Sequence, residues 1–421
     1  MSLLRRRDFL LVFASFALSS FGDYLALLAL TIRVHDSTGS GWAVSALLLT
    51  GLLPLVAFAP LSGLLVDRVE TVRVLAAAAL AQAVVAAGLA FTGAALVPTL
   101  ALSFLLGVGF AVTQPALFAL VPKVAGEDHT TQANAYLEVA RWGGATIGPI
   151  AGGTLTAAIG SGGALLIDAG TFLIVAAAAM ALRARRPPIP AEQVEPGGPK
   201  PREAREGFAF LLRDRLLGMV VLVIAAMVLF AAIDNVAEVF FAKRVLGAGD
   251  AGYGALVASW TLGMVVAATV IARRVPALRL ALSVLLAAVV GGSAIAFAAA
   301  LPSVPLAIAM WFVGGGANGM ENVGLRSLIH HRVPERIQGR VFAAYYAVVN
   351  GASIGATVLG GALVAVAGAQ GSLLIAGLGG LAAGLIGLLW YTRLRAREPT
   401  ILVSGPSGPT EHGLPEAAPG G

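Results

Sequence analysis

The sequence predicts an all-α polytopic membrane protein with twelve transmembrane helices in two pseudo-symmetric six-helix halves. Three observations predict it. Hydrophobic residues make up 58% of the 421-residue chain and charged residues only 12%, against roughly 25% charged in a soluble domain. The apolar residues fall into runs of about 20 or more, the length a helix needs to cross a ~30 Å hydrocarbon layer. Six runs precede and six follow one polar stretch, 183–215, and the two sets repeat each other.

In the first half the spans are expected at 9–32, 42–66, 72–92, 98–121, 133–158 and 163–182. Arg5, Arg6 and Arg7 ahead of an apolar run could mark a secretory signal, but the run continues to Ile32, past a usual signal core. The stretch 183–215 is rich in charge, Pro and Gly and cannot bury a core. It reads as a cytoplasmic linker between an N-terminal half, 1–182, and a C-terminal half, 216–395. The second set of spans is expected at 216–241, 253–272, 277–300, 303–328, 339–366 and 371–391. Pro, Gly and polar residues over 396–421 read as a disordered cytoplasmic tail.

Basic residues set the expected orientation. With both termini inside, 23 of the 28 Lys and Arg residues fall at inner loops and ends, while only Arg33, Lys243 and Arg244 fall outside. That bias supports an even number of spans with both ends cytoplasmic. The net charge of +6 does not indicate nucleic acid, because the basic residues flank apolar runs instead of forming a patch with aromatics. The chain has no Cys, which excludes disulfides and thiolate metal sites.

The repeat is legible by eye. An offset of 211 places Asp23 on Asp234, Arg33 on Arg244, Gly41 on Gly252 and Thr50 on Thr261. An offset of 208 places Gly152, Gly153 and Leu155 on Gly360, Gly361 and Leu363, and Gly160 on Gly368. Six spans per copy give the copies one orientation, hence a parallel repeat about the membrane normal.

Two stretches carry a family resemblance. Gly63-Leu-Leu-Val-Asp67-Arg68 followed by Arg73 resembles the loop signature of the major facilitator superfamily, between its second and third helices. Gly144-Ala-Thr-Ile-Gly148-Pro149-Ile-Ala-Gly152-Gly153 resembles its antiporter signature on helix five. The runs around Ser40-Gly41-Trp42 and Val333-Pro334-Glu335 are similar to the drug/proton antiporter branch that includes macrolide and siderophore exporters. There are departures. Glu70 stands where the loop signature has Gly, and helix four has Ser103 or Phe104 near the position of a membrane Arg found in many proton-coupled members. The role of that Arg therefore does not carry over.

The residues also have a physical reading of their own. Gly63 would let two helices approach, and Asp67 could meet Arg68, Arg73 or a helix N-terminus as a lock on one access state; the plainer alternative is a solvated turn. Gly144, Gly148 and Gly152 bare one face of helix five, and Pro149 interrupts its hydrogen-bond ladder. The expected partner is helix eleven, where Gly351 and Gly355 repeat the spacing.

Charges inside spans are costly and mark function by default. Asp23 and Asp234 each lie ten residues before an outer Arg, about 15 Å deep at ~1.5 Å per residue and so near the midplane. Glu238 follows Asp234 by one turn on the same face. Glu321 reaches midplane depth on helix ten, and Asp168 on helix six is expected nearer the outside. Structural contacts between helices are the competing reading for each. Glu138 and Arg141 are expected as a gate or structural ion pair, Arg326 as a snorkelling cation, and His330 and His331 as interface residues. No metal cluster, nucleophile elbow or phosphate loop is present in the sequence, so no cofactor is expected.

The resemblance implies a secondary transporter, not an enzyme. It would export a small amphipathic compound by alternating access, with protons as coupling ion. Its expected setting is the cell membrane, as a monomer in the lipid bilayer with no nucleic-acid partner. A nutrient importer or uniporter, a lysolipid flippase and a non-transporting receptor or scaffold are the alternatives; paired midplane aspartates argue against the last.

Overall fold

The computed structural model describes residues 3–188, 201–271 and 274–397. The expected tail beyond 397, the centre of the linker and Arg273 lie outside the described residues. Every long element is a helix. The first half holds α1 (Arg7–Thr38), α2 (Gly41–Ala57), α3 (Ala59–Arg68), α4 (Thr71–Ala90), α5 (Leu96–Ala125) and α6 (Thr130–Ala181). A short helix follows, α7 (Pro201–Arg213). The second half holds α8 (Arg215–Phe240), α9 (Gly249–Val266), α10 (Leu280–Ala300), α11 (Val304–Arg332) and α12 (Glu335–Arg397).

Helix count and span count differ for local reasons. Pro54 sits inside α2, and α2 and α3 form one span bent by 57°. The helices α6 and α12, of 52 and 63 residues, are each about twice the length a bilayer needs. Each is two spans broken at a glycine, Gly160 at φ 74° and Gly368 at φ 69°. Only glycine adopts this extended backbone with positive φ without strain. The two breaks are repeat mates at the 208-residue offset, so the same hairpin recurs in both halves. With these divisions the described helices supply the twelve spans. Less apolar than the others, α11 carries Asn318, Glu321 and Asn322 in its middle.

Packing repeats as the sequence does. Within the first half α1 and α4 pack on α6, α4 on α5 and α2 on α5; within the second, α8 and α10 pack on α12, α10 on α11 and α9 on α11. The halves meet chiefly where α6 packs on α9 and α2 on α12. One hydrophobic core, with Leu30, Val34, Val44, Leu47, Val236, Phe240, Leu256 and Trp311, is shared by both halves at the end away from the termini. At the terminal end the cores separate: one surrounds Phe9, Leu120 and Leu137, the other Leu217, Leu285 and Val341. The two halves are therefore joined at one end and parted at the other.

The stretch 183–215 is not structureless. After α6, Arg183 and Ala184 donate backbone N–H bonds to Asp8 at 3.0 and 2.7 Å. Asp214 caps α8, accepting from the N–H groups of Leu216 and Leu217 at 3.1 and 2.9 Å. Between them α7 packs on α12 and α8.

Candidate transport site

The joined end is closed by direct contacts between halves. Ser45 on α2 donates to the carbonyl of Thr357 on α12 at 2.7 Å. Tyr253 on α9 is buried in the same core as Leu30 and Val34 of α1. Lys243 reaches across to Asp36 at 2.6 Å and also holds Asp250 of its own half at 2.6 Å. The His35 ring packs edge-on against Phe240 with centroids 4.6 Å apart. Glycines allow the backbones this close: a Cβ on Gly254 would lie 2.3 Å from the Pro149 carbonyl oxygen, and one on Gly153 2.4 Å from that of Asp250.

At the parted end, Gly143, Gly339, Gly351 and Gly355 have no foreign atom within 4 Å of a built Cβ. The expected seal of helix five against Gly351 and Gly355 is therefore not made in this conformation. Gly144, Gly148 and Gly152 instead pack on α1, against Ser20, Phe21, Tyr24, Leu25 and Leu28. Gly63, expected to bring helices together, also has open space around it.

The carboxylates sit inside the halves, in two crevices related by the repeat. In the first, Asp23 is grouped with Ser19, Gln82, Thr113 and Gln114 around a cavity offering about 30 Å³ to the centres of water-sized molecules. In the second, Asp234 and Glu321 share a cavity of about 40 Å³ with Asn318 and Trp260. At ~10–15 Å³ per water by this measure, the first has room for about two or three waters and the second for about three or four, far below the ~300 Å³ that a drug-sized ligand needs. Asp234 Oδ1, Glu238 Oε1 and Asp168 Oδ2 are buried and accept no hydrogen bond among the described residues.

Asp168 departs from its expected place near the outside. Fully buried, it lies against α1, with Oδ1 2.4 Å from where a Cβ on Gly22 would stand, and accepts from Thr171 at 3.2 Å. It therefore sits at the level of Asp23.

The remaining candidates lie towards the parted end. Asp67 pairs with Arg186 at 3.0 Å, a partner beyond helix six that sequence reading did not foresee, while Arg73 pairs with Glu70 at 2.8 Å. Arg68 is exposed. With Arg185, which also pairs with Glu70 at 3.2 Å, these ion pairs stay within the first half and the adjoining linker. Glu138 and Arg141 pair along their own helix at 2.6 Å, and Arg141 stacks over Trp142. Arg326 is exposed, and His330 contacts Gln338 at 3.0 Å. Reading the sequence did not single out Gln82, Gln114, Asn318 or the Asp36–Lys243–Asp250 cluster; the three amides were visible as polar residues within apolar spans.

A bundle of two repeated six-helix halves, closed at one end and holding buried carboxylates at mid-depth, defines the class as a secondary transporter. The sequence profile of the Major Facilitator Superfamily matches residues 12–356 and 243–411, and the chain belongs to that family. It is 27% identical over 398 residues to the MFS-type transporter YfiS of Bacillus subtilis (strain 168), covering 91% of this chain and 93% of YfiS. It is 28% identical over 382 residues to the enterobactin exporter EntS of Escherichia coli O45:K1 (strain S88 / ExPEC), covering 87% of this chain and 88% of EntS. Among solved structures, a POT family transporter in complex with 5-aminolevulinic acid superposes with a TM-score of 0.72 at 13% identity, over 92% of this chain and 97% of that one. The last likeness is one of fold.

Proposed function

We propose that this secondary transporter exports a small amphipathic compound, drug-, macrolide- or siderophore-like, by alternating access with proton antiport. The observation that carries the reading is the buried pair Asp234 and Glu238, one turn apart, each with a carboxylate oxygen that accepts no hydrogen bond among the described residues, with Asp234 and Glu321 lining a water-sized cavity. A crevice of that size admits water and protons but not substrate, which must occupy the space between the halves. Separate places for ion and substrate are what antiport needs: each can be bound when the other leaves, and the access equilibrium connects them. Asp234 is the first choice for the coupling proton, because Glu238 one turn away disfavours two charges at once. Asp23 is assigned to a cationic substrate or a second proton, and Asp168 supports it across the α1–α6 contact.

Similarity to an enterobactin exporter supports the outward direction and the siderophore-like class. With the basic termini in the cytoplasm, the parted end faces inward, the conformation in which an exporter loads. The test is efflux into everted membrane vesicles from a panel of drugs, macrolides and siderophores, with a fluorescent readout of the pH gradient. Uphill movement of at least one compound that also dissipates the gradient is expected. Movement only down a gradient, with no proton flux, would replace antiport by uniport.

A further inference from the structure

We propose that α7 is a lipid-binding element, which lays its exposed face on the headgroups of an anionic membrane leaflet. Two contacts set its depth. Gly207 abuts the carbonyl of Arg340, near the start of α12, and the carbonyl of Leu211 lies 2.4 Å from where a Cβ on Gly218 would stand, in the first turn of α8. An ion pair between Glu206 and Arg340 fastens the same side. The helix thus lies against the first turns of two membrane spans, at the level where hydrocarbon gives way to headgroups.

Its other side is unlike a soluble surface. Phe208 is 39% exposed and Leu212 85% exposed, one turn apart on the same face. Exposed Arg205 and Arg213 run along one flank of that pair, one before Phe208 and one after Leu212 in the chain. Apolar residues flanked by arginines on a short helix at this depth fit the acyl–headgroup boundary: the side chains of Phe208 and Leu212 enter the boundary while the guanidinium groups meet phosphates. The charge complementarity selects anionic lipid over zwitterionic lipid. Because α7 is fixed to the second half, lipid charge would bear on that half and not on the first.

The absence of Cys makes the test clean. Phe208→Cys and Leu212→Cys, each carrying a nitroxide, are reconstituted in vesicles of phosphatidylcholine alone and of phosphatidylcholine with a minority of phosphatidylglycerol. Relaxation by oxygen reports immersion, and relaxation by a water-soluble nickel chelate reports exposure to water. Both labels are expected to be oxygen-accessible and chelate-shielded with phosphatidylglycerol, and less so without it. Arg205→Gln combined with Arg213→Gln should weaken the lipid preference on the order of fivefold for each arginine lost. Labels that stay open to the chelate in both vesicles overturn the proposal, as does immersion that responds neither to phosphatidylglycerol nor to loss of the arginines.

Discussion

Replacing Gly254 by Ala should drive the protein out of the conformation described here. The Cβ would stand 2.3 Å from the Pro149 carbonyl oxygen, 3.1 Å from its carbon and 3.4 Å from Gly153 Cα. All three atoms are backbone, so no side chain can swing aside, and α9 and α6 must separate by about 1 Å to restore ordinary contact. Overpacking of this kind costs ~1–3 kcal/mol. Because α6 and α9 belong to opposite halves, opening the joined end removes the clash, and the cost falls on one access state alone. The access equilibrium should therefore move about 5- to 150-fold towards the state open at that end. Leu47, 2% exposed in the shared core at the closed end, serves as reporter when replaced by Cys. Alkylation of Leu47→Cys by an impermeant maleimide should rise in the Gly254→Ala background. Gly351→Ala, at a position with nothing within 4 Å, should not raise it. Equal labelling in all backgrounds would show that the joined end does not open as a rigid contact between halves, and the rocking account would fail.

Other outcomes follow from the same geometry. Lys243→Ala removes the ion pair to Asp36 that crosses the halves; with Asp36 48% exposed, the pair is worth ~0.2–1 kcal/mol, so Leu47→Cys labelling should rise by no more than about fivefold. Asp67→Asn and Arg186→Gln break one 3.0 Å pair and should alter transport to the same degree singly and together, as a double-mutant cycle would measure; additive effects would leave that pair without a joint role. A single Cys introduced in the segment 183–188 should resist an impermeant reagent in intact cells, and labelling there would reverse the inferred orientation.

Much of the fold was legible in the sequence, because a bilayer demands long apolar helices and a duplicated chain repeats its punctuation. The repeat mates Gly160 and Gly368 both break helices with positive φ, and the twelve expected spans coincide with the helices found. The linker helix was less legible. Its residues around Phe208, Leu211 and Leu212 are too few for an apolar run, and the burial of Leu211 depends on α8 and α12, which only tertiary contact supplies. Site geometry was legible in position along each helix but not in direction. Counting residues puts Asp23, Asp234 and Glu321 in the middle stretches of their helices, yet rotation about each helix axis decides that they face crevices inside the halves. Glycine spacing announced a close-packed face on helix five but could not name α1 as its neighbour, since the same stripe fits any backbone that comes near. Arg186 was hidden as a partner for Asp67 because 119 residues separate them.

The most direct test of the coupled-export account is proton movement in proteoliposomes holding the purified protein, with a substrate found by the vesicle panel and an internal pH dye. The account predicts that substrate driven through the native protein moves protons the opposite way, and that Asp234→Asn abolishes this proton flux while substrate exchange without a gradient continues. Undiminished proton-coupled transport in Asp234→Asn, and again in Glu238→Gln and Asp23→Asn, would contradict it.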